Sequence, residues 1–248
     1  MAEVRFGDVR FDTALVVFDK DGTLIDFDYI WGRLAVVWIE RLAAGDERLA
    51  HDLYRAIGYD PVGHRTDPQG PLAIATTAQV QAICGGTLYR HDVSWTEAED
   101  RVREAFDTYA AYPLASLVRP TGDLPGLLSS LRRVGVRAAV VTTDHRPDTE
   151  QTLQILGIAG LVDLLICGDD GLPSKPAPDM LLEACRRLDI EPARAAVVGD
   201  TLGDLLMARR AGAGLRVGVL SGAGDWKLLS RHADVVLDSV DDITVAAH

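Results

Sequence analysis

Along the second half of the chain, short apolar runs alternate with stretches whose apolar residues recur at helical spacing. The runs are Val136–Val141, Leu164–Cys167, Ala195–Val198, Leu215–Leu220 and Asp234–Leu237. Between them the spacing predicts helices near 122–134, 147–157, 178–188, 203–211 and 225–231. Runs without period-two alternation suit strands covered on both faces, and their alternation with helices predicts a doubly wound, Rossmann-like α/β core around a parallel sheet. Ala14–Phe18 is one more such strand, set about a hundred residues upstream of the others.

The intervening stretch has a different period. Tyr29–Ala44, Asp46–Ile57, Leu72–Cys84 and Ser94–Ala111 each read as helices, the last opened by a capping box, Ser94-Trp95-Thr96-Glu97. Gly58–Gly70, punctuated by Pro61, Gly63 and Pro68, reads as a loop. The organisation expected is an α/β catalytic core, residues 1–25 and 116–248, with an α-helical cap, 26–115, inserted after the first strand. Ligands of open α/β sheets bind beyond the carboxyl ends of the strands, where an inserted module can act as a lid.

Composition removes several function classes. With 48% hydrophobic and 25% charged residues over 248 positions, the chain can bury a core and is neither disordered nor fibrous. Its net charge of −12 repels phosphate backbones and anionic lipid, which argues against nucleic acid or a membrane as partner. An anionic ligand must then be held by local positive charge, backbone amides or a metal ion. Cys84, Cys167 and Cys185 are odd in number and widely spaced, so neither a disulfide framework nor a zinc site is expected. The charged opening Met1–Phe11 lacks the apolar run of a signal peptide, and no stretch approaches the roughly 18 apolar residues of a membrane helix. A cytoplasmic protein, monomeric or homodimeric, is the expectation.

Four features fall just after predicted strands and hence at one sheet edge. Phe18-Asp19-Lys20-Asp21-Gly22-Thr23 places two carboxylates two residues apart as the chain leaves the first strand. Val141-Thr142-Thr143-Asp144 sets hydroxyls at the end of the next, and Ser174-Lys175-Pro176 sets a lysine ahead of a helix. Gly199-Asp200-Thr201-Leu202-Gly203-Asp204 supplies a second acidic pair. Asp19, Asp21, Asp200 and Asp204, converged, could not all stay ionised without a cation. A divalent cation and Lys175 would bring four negative charges down to one. The all-oxygen set favours Mg²⁺. With the Thr142 hydroxyl and the backbone N–H groups following Asp19, at Lys20, Gly22 and Thr23, such a site would seat a tetrahedral dianion, as phosphoryl transfer requires.

In order and spacing these four motifs resemble the haloacid dehalogenase superfamily, and the resemblance spans 14 to about 220. The long interval between the first two motifs is similar to the branch with a helical cap there, and FDKDGTLID and SKPAPDM resemble its phosphoglycolate-phosphatase-like members. The resemblance implies that Asp19 is the nucleophile, forming an aspartyl-phosphate, and a Mg²⁺ ligand. It implies that Asp21 is the general acid and base, binding the metal through its carbonyl. It further implies that Thr142 and the Thr143 N–H hold a phosphoryl oxygen, that Lys175 offsets charge, that Asp200 is a metal ligand, and that Asp204 acts through a water or on Lys175. Gly22 would allow the turn, and Thr23 would orient it. The substrate implied is a small phosphorylated metabolite.

Relatives with other chemistry differ at readable positions. A dehalogenase would lack the second aspartate, and an ion pump would carry threonine there; this chain has Asp21. A sugar phosphomutase shares the core but tends to carry a histidine where Trp31 stands. A non-catalytic phospho-accepting receiver module would be shorter and lack the insertion. Outside the motifs, His51, His64 and His91 read as surface or capping residues, and Trp31, Trp38 and Trp95 as helix packing. His145 and Arg146 read either as substrate contacts or as a helix start, and the 58–70 loop, with Tyr59, His64 and Arg65, as a candidate selector of substrate. Gly218–Gly224 reads as a turn.

Overall fold

The computed structural model describes residues 2–107 and 113–245. Two antiparallel strands come first, β1 (Ala2–Phe6) and β2 (Val9–Thr13), followed by β3 (Leu15–Phe18). The insertion carries α1 (Arg33–Ala43), α2 (Glu47–Ile57), β4 (Tyr59–Asp60), β5 (Arg65–Thr66), α3 (Pro71–Ile74), α4 (Thr77–Arg90) and α5 (Trp95–Phe106). The rest alternates: α6 (Leu124–Arg133), β6 (Arg137–Val141), α7 (Arg146–Ile155), β7 (Leu164–Ile166), α8 (Asp179–Leu188), β8 (Ala195–Gly199), α9 (Leu202–Ala211), β9 (Leu215–Val219), α10 (Trp226–Leu229), β10 (Val235–Leu237) and β11 (Ile243–Val245).

Two compact units result, Met1–Phe27 with Val118–His248, and Asp28–Leu117. Each boundary falls two residues beyond the expected 26 and 115, because Asp26 is tied to the first unit through its N–H to Arg119 O, 2.9 Å.

In the first unit six strands form one parallel sheet in the order β10-β9-β8-β3-β6-β7. Along β3, Val16 and Phe18 join one apolar cluster with Leu124, Leu128 and Leu131 of α6, while Leu15 and Val17 join another with Met180 and Leu181 of α8 and Met207 of α9. Side chains of one strand thus feed two cores, which is why these strands carry no polar face and read as continuous apolar runs. After β3 the chain pairs β6 on one side and later β8 on the other, so the carboxyl ends of β3 and β8 flank the switch point where such sheets bind ligands.

A second, three-stranded antiparallel sheet, β11-β1-β2, lies outside the elements that the apolar spacing predicts. Val4 and Phe6 of β1 and Ile243 of β11 are buried in the α6-side cluster, while Glu3 and Arg5 alternate outward.

In the Asp28–Leu117 unit the expected helix 29–44 opens as a five-residue π-type turn, Asp28–Gly32, before α1. The expected helix 72–84 is broken in two, because Thr76 and Gln79 form a capping box that starts α4 afresh. Gly58–Gly70 is no plain loop: Tyr59 pairs Thr66 and Asp60 pairs Arg65 as a hairpin. Ser94 caps α5 by accepting the Glu97 N–H, and positions 108–111 of that expected helix lie outside the described residues. Trp38 is buried and stacks on Phe106 at 4.1 Å, whereas Trp95 is half exposed against Tyr89. His91 and His51 both lie on Asp52, at 3.0 and 3.4 Å. Among the described residues no helix is long and apolar enough to cross a membrane.

Candidate active site

The site grows from the carboxyl ends of β3, β6 and β8. Phe18 pairs Val198 in register, and the Asp19 N–H donates to Val198 O at 2.9 Å, so the turns leaving the two strands start side by side. The first turn closes on itself: the Gly22 N–H donates to Ile25 O at 2.7 Å and the Thr23 N–H to Lys20 O at 3.3 Å. These two amides therefore serve the turn, which corrects the expectation that they face a phosphoryl group. Gly22 has φ of +87°, and a Cβ there would stand 2.2 Å from Asp200 Oδ2, so glycine is needed both for the backbone and for the space. The Thr23 hydroxyl, expected to orient this segment, is fully buried with no hydrogen-bond partner among the described residues.

The Lys20 side chain, on which the sequence carried no expectation, is engaged as well. Its side chain is 2% exposed, and its Nζ lies 2.9 and 2.8 Å from the two carboxylate oxygens of Asp21 and 2.9 Å from Asp144 Oδ2. Its charged end holds carboxylates rather than a phosphate pocket. Burial pushes Lys20 down, but Asp21 and Asp144 outweigh it and hold it above the ordinary lysine range.

Lys175 is the second buried cation. Its Nζ donates to Asp19 Oδ1 at 2.5 Å and Asp204 Oδ1 at 2.7 Å. Asp204 sits at the third position of α9, where its Oδ2 accepts from the Thr201 N–H and hydroxyl in a capping box. Both its oxygens are engaged, Oδ1 by Lys175 and Oδ2 by Thr201. The Lys175-Pro176 segment is itself held by Arg210, which donates to Pro176 O at 2.8 Å. Thr142 is buried and its Oγ1 accepts the Asp144 N–H at 3.2 Å, which leaves the hydroxyl proton to donate; Thr143 is exposed.

Asp200 is fully buried. Its Oδ2 accepts the Ala223 N–H at 2.8 Å and its Oδ1 has no partner among the described residues. Burial, then Asp19 and Asp204, push Asp200 well above the usual carboxylate range. Burial also pushes Asp19 up, to about 7, with Lys175 pulling against it and Asp204 adding to it. One oxygen from each of Asp19, Asp200 and Asp204 lies within 4.8 Å of the others. An orphaned buried carboxylate oxygen among like charges, with oxygen donors only, fits a hard divalent cation. Asp204 is engaged by Lys175 and Thr201 and Asp19 by Lys175, whereas Asp200 Oδ1 has no partner among the described residues.

The segment read as a mere turn after β9 belongs to the site. The Ser221 hydroxyl donates to Gly22 O at 2.8 Å, and Ala223 holds Asp200. A Cβ on Gly222 would stand 2.1 Å from Asp200 Oδ2. The available signal was position: a glycine-rich stretch at the carboxyl end of a parallel strand. Gly222→Ala should displace Asp200 and raise at least tenfold the Mg²⁺ concentration needed for half-maximal thermal stabilisation, read from melting temperatures across a Mg²⁺ titration. His145 and Arg146 form the start of α7, where Arg146 grips both oxygens of Asp170 at 2.8 and 2.7 Å.

The haloacid dehalogenase-like hydrolase family matches residues 13–212, which takes in every motif above. The chain belongs to this family. Curated members resemble it at modest identity. N-acetylmuramic acid 6-phosphate phosphatase of Pseudomonas aeruginosa is 32% identical over 199 residues, 79% of this chain and 77% of that protein. Phosphoglycolate phosphatase of Neisseria meningitidis is 33% identical over 243 residues, 92% of this chain and 91% of that protein. A haloacid dehalogenase family hydrolase of Deinococcus radiodurans, solved with phosphate and sodium bound, shares the fold with a TM-score of 0.66 at 23% identity over 93% of each chain. As a member, this chain is an enzyme, a hydrolase on a Rossmann-like core.

Proposed function

We infer that the chain is a Mg²⁺-dependent phosphatase that hydrolyses a small phosphomonoester through an aspartyl-phosphate on Asp19. The observation that carries this reading is the position of Asp19, held by Lys175 with a carboxylate oxygen within 4.8 Å of one of buried Asp200, whose Oδ1 has no partner among the described residues. Asp19, Asp200 and the backbone carbonyl of Asp21 would hold Mg²⁺. When bound, the ion supplies positive charge that keeps Asp19 ionised and offsets the charge of the phosphoryl oxygens.

The rest falls to the chain's own residues. A carboxylate oxygen of Asp19 attacks phosphorus, and the bond from phosphorus to the leaving oxygen breaks while the Asp21 carboxyl protonates that oxygen. Lys175, the Thr142 hydroxyl and the Thr143 N–H neutralise and orient the phosphoryl oxygens. Asp21, now a carboxylate, takes a proton from water as it attacks phosphorus, and the bond to Asp19 breaks to release inorganic phosphate. Trp31 occupies the place where a phosphotransferring relative would carry histidine, in keeping with water as the acceptor. Small phosphorylated metabolites are the substrate class, since the curated relatives act on phosphoglycolate and a sugar phosphate. The cytoplasm, where such metabolites are made, is the compartment this reading implies.

A panel of phosphorylated metabolites, assayed for phosphate release with Mg²⁺ and with excess chelator, tests the reading. Turnover should fall at least about 10³-fold on chelation, the scale of several kcal/mol of charge stabilisation. Equal turnover in both would remove the metal from the proposal.

A further inference from the structure

Lys20 is a lysine almost wholly out of water, and such lysines occur only where something pairs them. Its partners are unusual. One is the adjacent Asp21, gripped through both carboxylate oxygens at 2.9 and 2.8 Å. The other, Asp144 at 2.9 Å, comes from the loop after β6, two residues beyond Thr142. A buried ion pair contributes little net stability once desolvation is counted, but it fixes geometry. The Lys20 side chain is 2% exposed and those of Asp21 and Asp144 are 16% and 26%, so the ammonium lies deeper than the two carboxylates it bridges. Asp144 in turn stops the ammonium from following Asp21, because its charge is shared between two anions anchored on different strands.

We propose that Lys20 is a positioning residue that, braced by Asp144, sets the orientation of the Asp21 carboxyl toward the leaving-group oxygen. This rests on the reading of Asp21 as general acid. It assigns Lys20 a task distinct from Lys175, which holds the nucleophile and Asp204.

Leaving-group dependence separates this role from a purely structural one. kcat/KM reports formation of the aspartyl-phosphate, the step in which the leaving oxygen departs. An alkyl phosphate needs a proton delivered to that oxygen, whereas p-nitrophenyl phosphate releases a stable phenolate without one. In Lys20→Met, kcat/KM for an alkyl phosphate should fall about 10- to 100-fold, part of the 10²–10⁴ that general acid catalysis supplies, and for p-nitrophenyl phosphate less than about threefold. Asp144→Asn, at a partly exposed position that leaves the core intact, should show the same selectivity at about 3- to 10-fold on the alkyl phosphate. Equal losses on both substrates, or no loss on either, would overturn the proposal. Asp21→Asn is the control: selective loss there without selective loss in Lys20→Met and Asp144→Asn sinks the role of Lys20 alone, while unselective loss in Asp21→Asn sinks the acid assignment on which it stands.

Discussion

Asp19→Asn should abolish phosphomonoester turnover, by at least about 10⁴-fold, and should make the metal-free protein melt higher than the parent at pH 8. The first effect follows from removing the atom that attacks phosphorus. The second follows from charge. Asp19 is raised from its ordinary 3.8 to about 7 in the fold, so the folded chain binds this proton more tightly than the unfolded chain. Stability therefore falls as pH rises from about 4 to about 7, where the unfolded chain has released the proton and the folded chain is forced to. Buried Asp200 shifts in the same direction and adds to the slope. Asparagine removes one of the two charges and flattens the curve. Melting temperatures in chelator between pH 4 and pH 8 measure this, and addition of Mg²⁺ should stabilise the parent more at pH 8 than at pH 5. A parent whose metal-free stability rose over that interval would contradict the buried-carboxylate account.

Legibility in the sequence followed burial and local geometry. The six parallel strands could be read because two-sided burial demands continuous apolar runs, and the chemistry could be located because each motif follows such a run. The β11-β1-β2 sheet escaped because its strands are short and one-sided, and because Val4 finds Val245 from the opposite end of the chain. The place of the Lys20 side chain is hidden in the sequence for a related reason. Sequence shows a lysine between two aspartates, but only the turn after β3 brings its ammonium back onto both oxygens of Asp21 and across to Asp144. Likewise Gly222 and Ala223 acquire meaning only once β9 lies beside β8 and their loop wraps Asp200. In the insertion, helix periodicity ran through the break at Thr76 because apolar spacing continues while the capping box ends the hydrogen bonding; Thr76-Thr77-Ala78-Gln79 was the overlooked signal.

Lys175→Met should both inactivate and destabilise the protein, and the two losses should be separable. The ammonium, 6% exposed, is held by Asp19 and Asp204 above the ordinary lysine range despite burial that pushes it down, so it stays charged at every working pH. Methionine fills similar volume but leaves two buried carboxylates facing each other. Breaking one side of such a pair costs about 3–5 kcal/mol, or roughly 10 °C in melting temperature for a chain of this size. Mg²⁺ should recover part of that loss, since it supplies the missing positive charge to Asp19. Adding Asp204→Asn to Lys175→Met removes one of the two orphaned charges and leaves that of Asp19, so the double variant should regain about half of the lost stability. It should regain none of the turnover, as the Lys175 ammonium that orients the nucleophile and neutralises the incoming phosphoryl group is still missing. Recovery of activity in the double variant would show that Lys175 merely neutralises Asp204; stability unchanged in the single variant would show that the Asp19–Lys175–Asp204 bridge does not hold the site together.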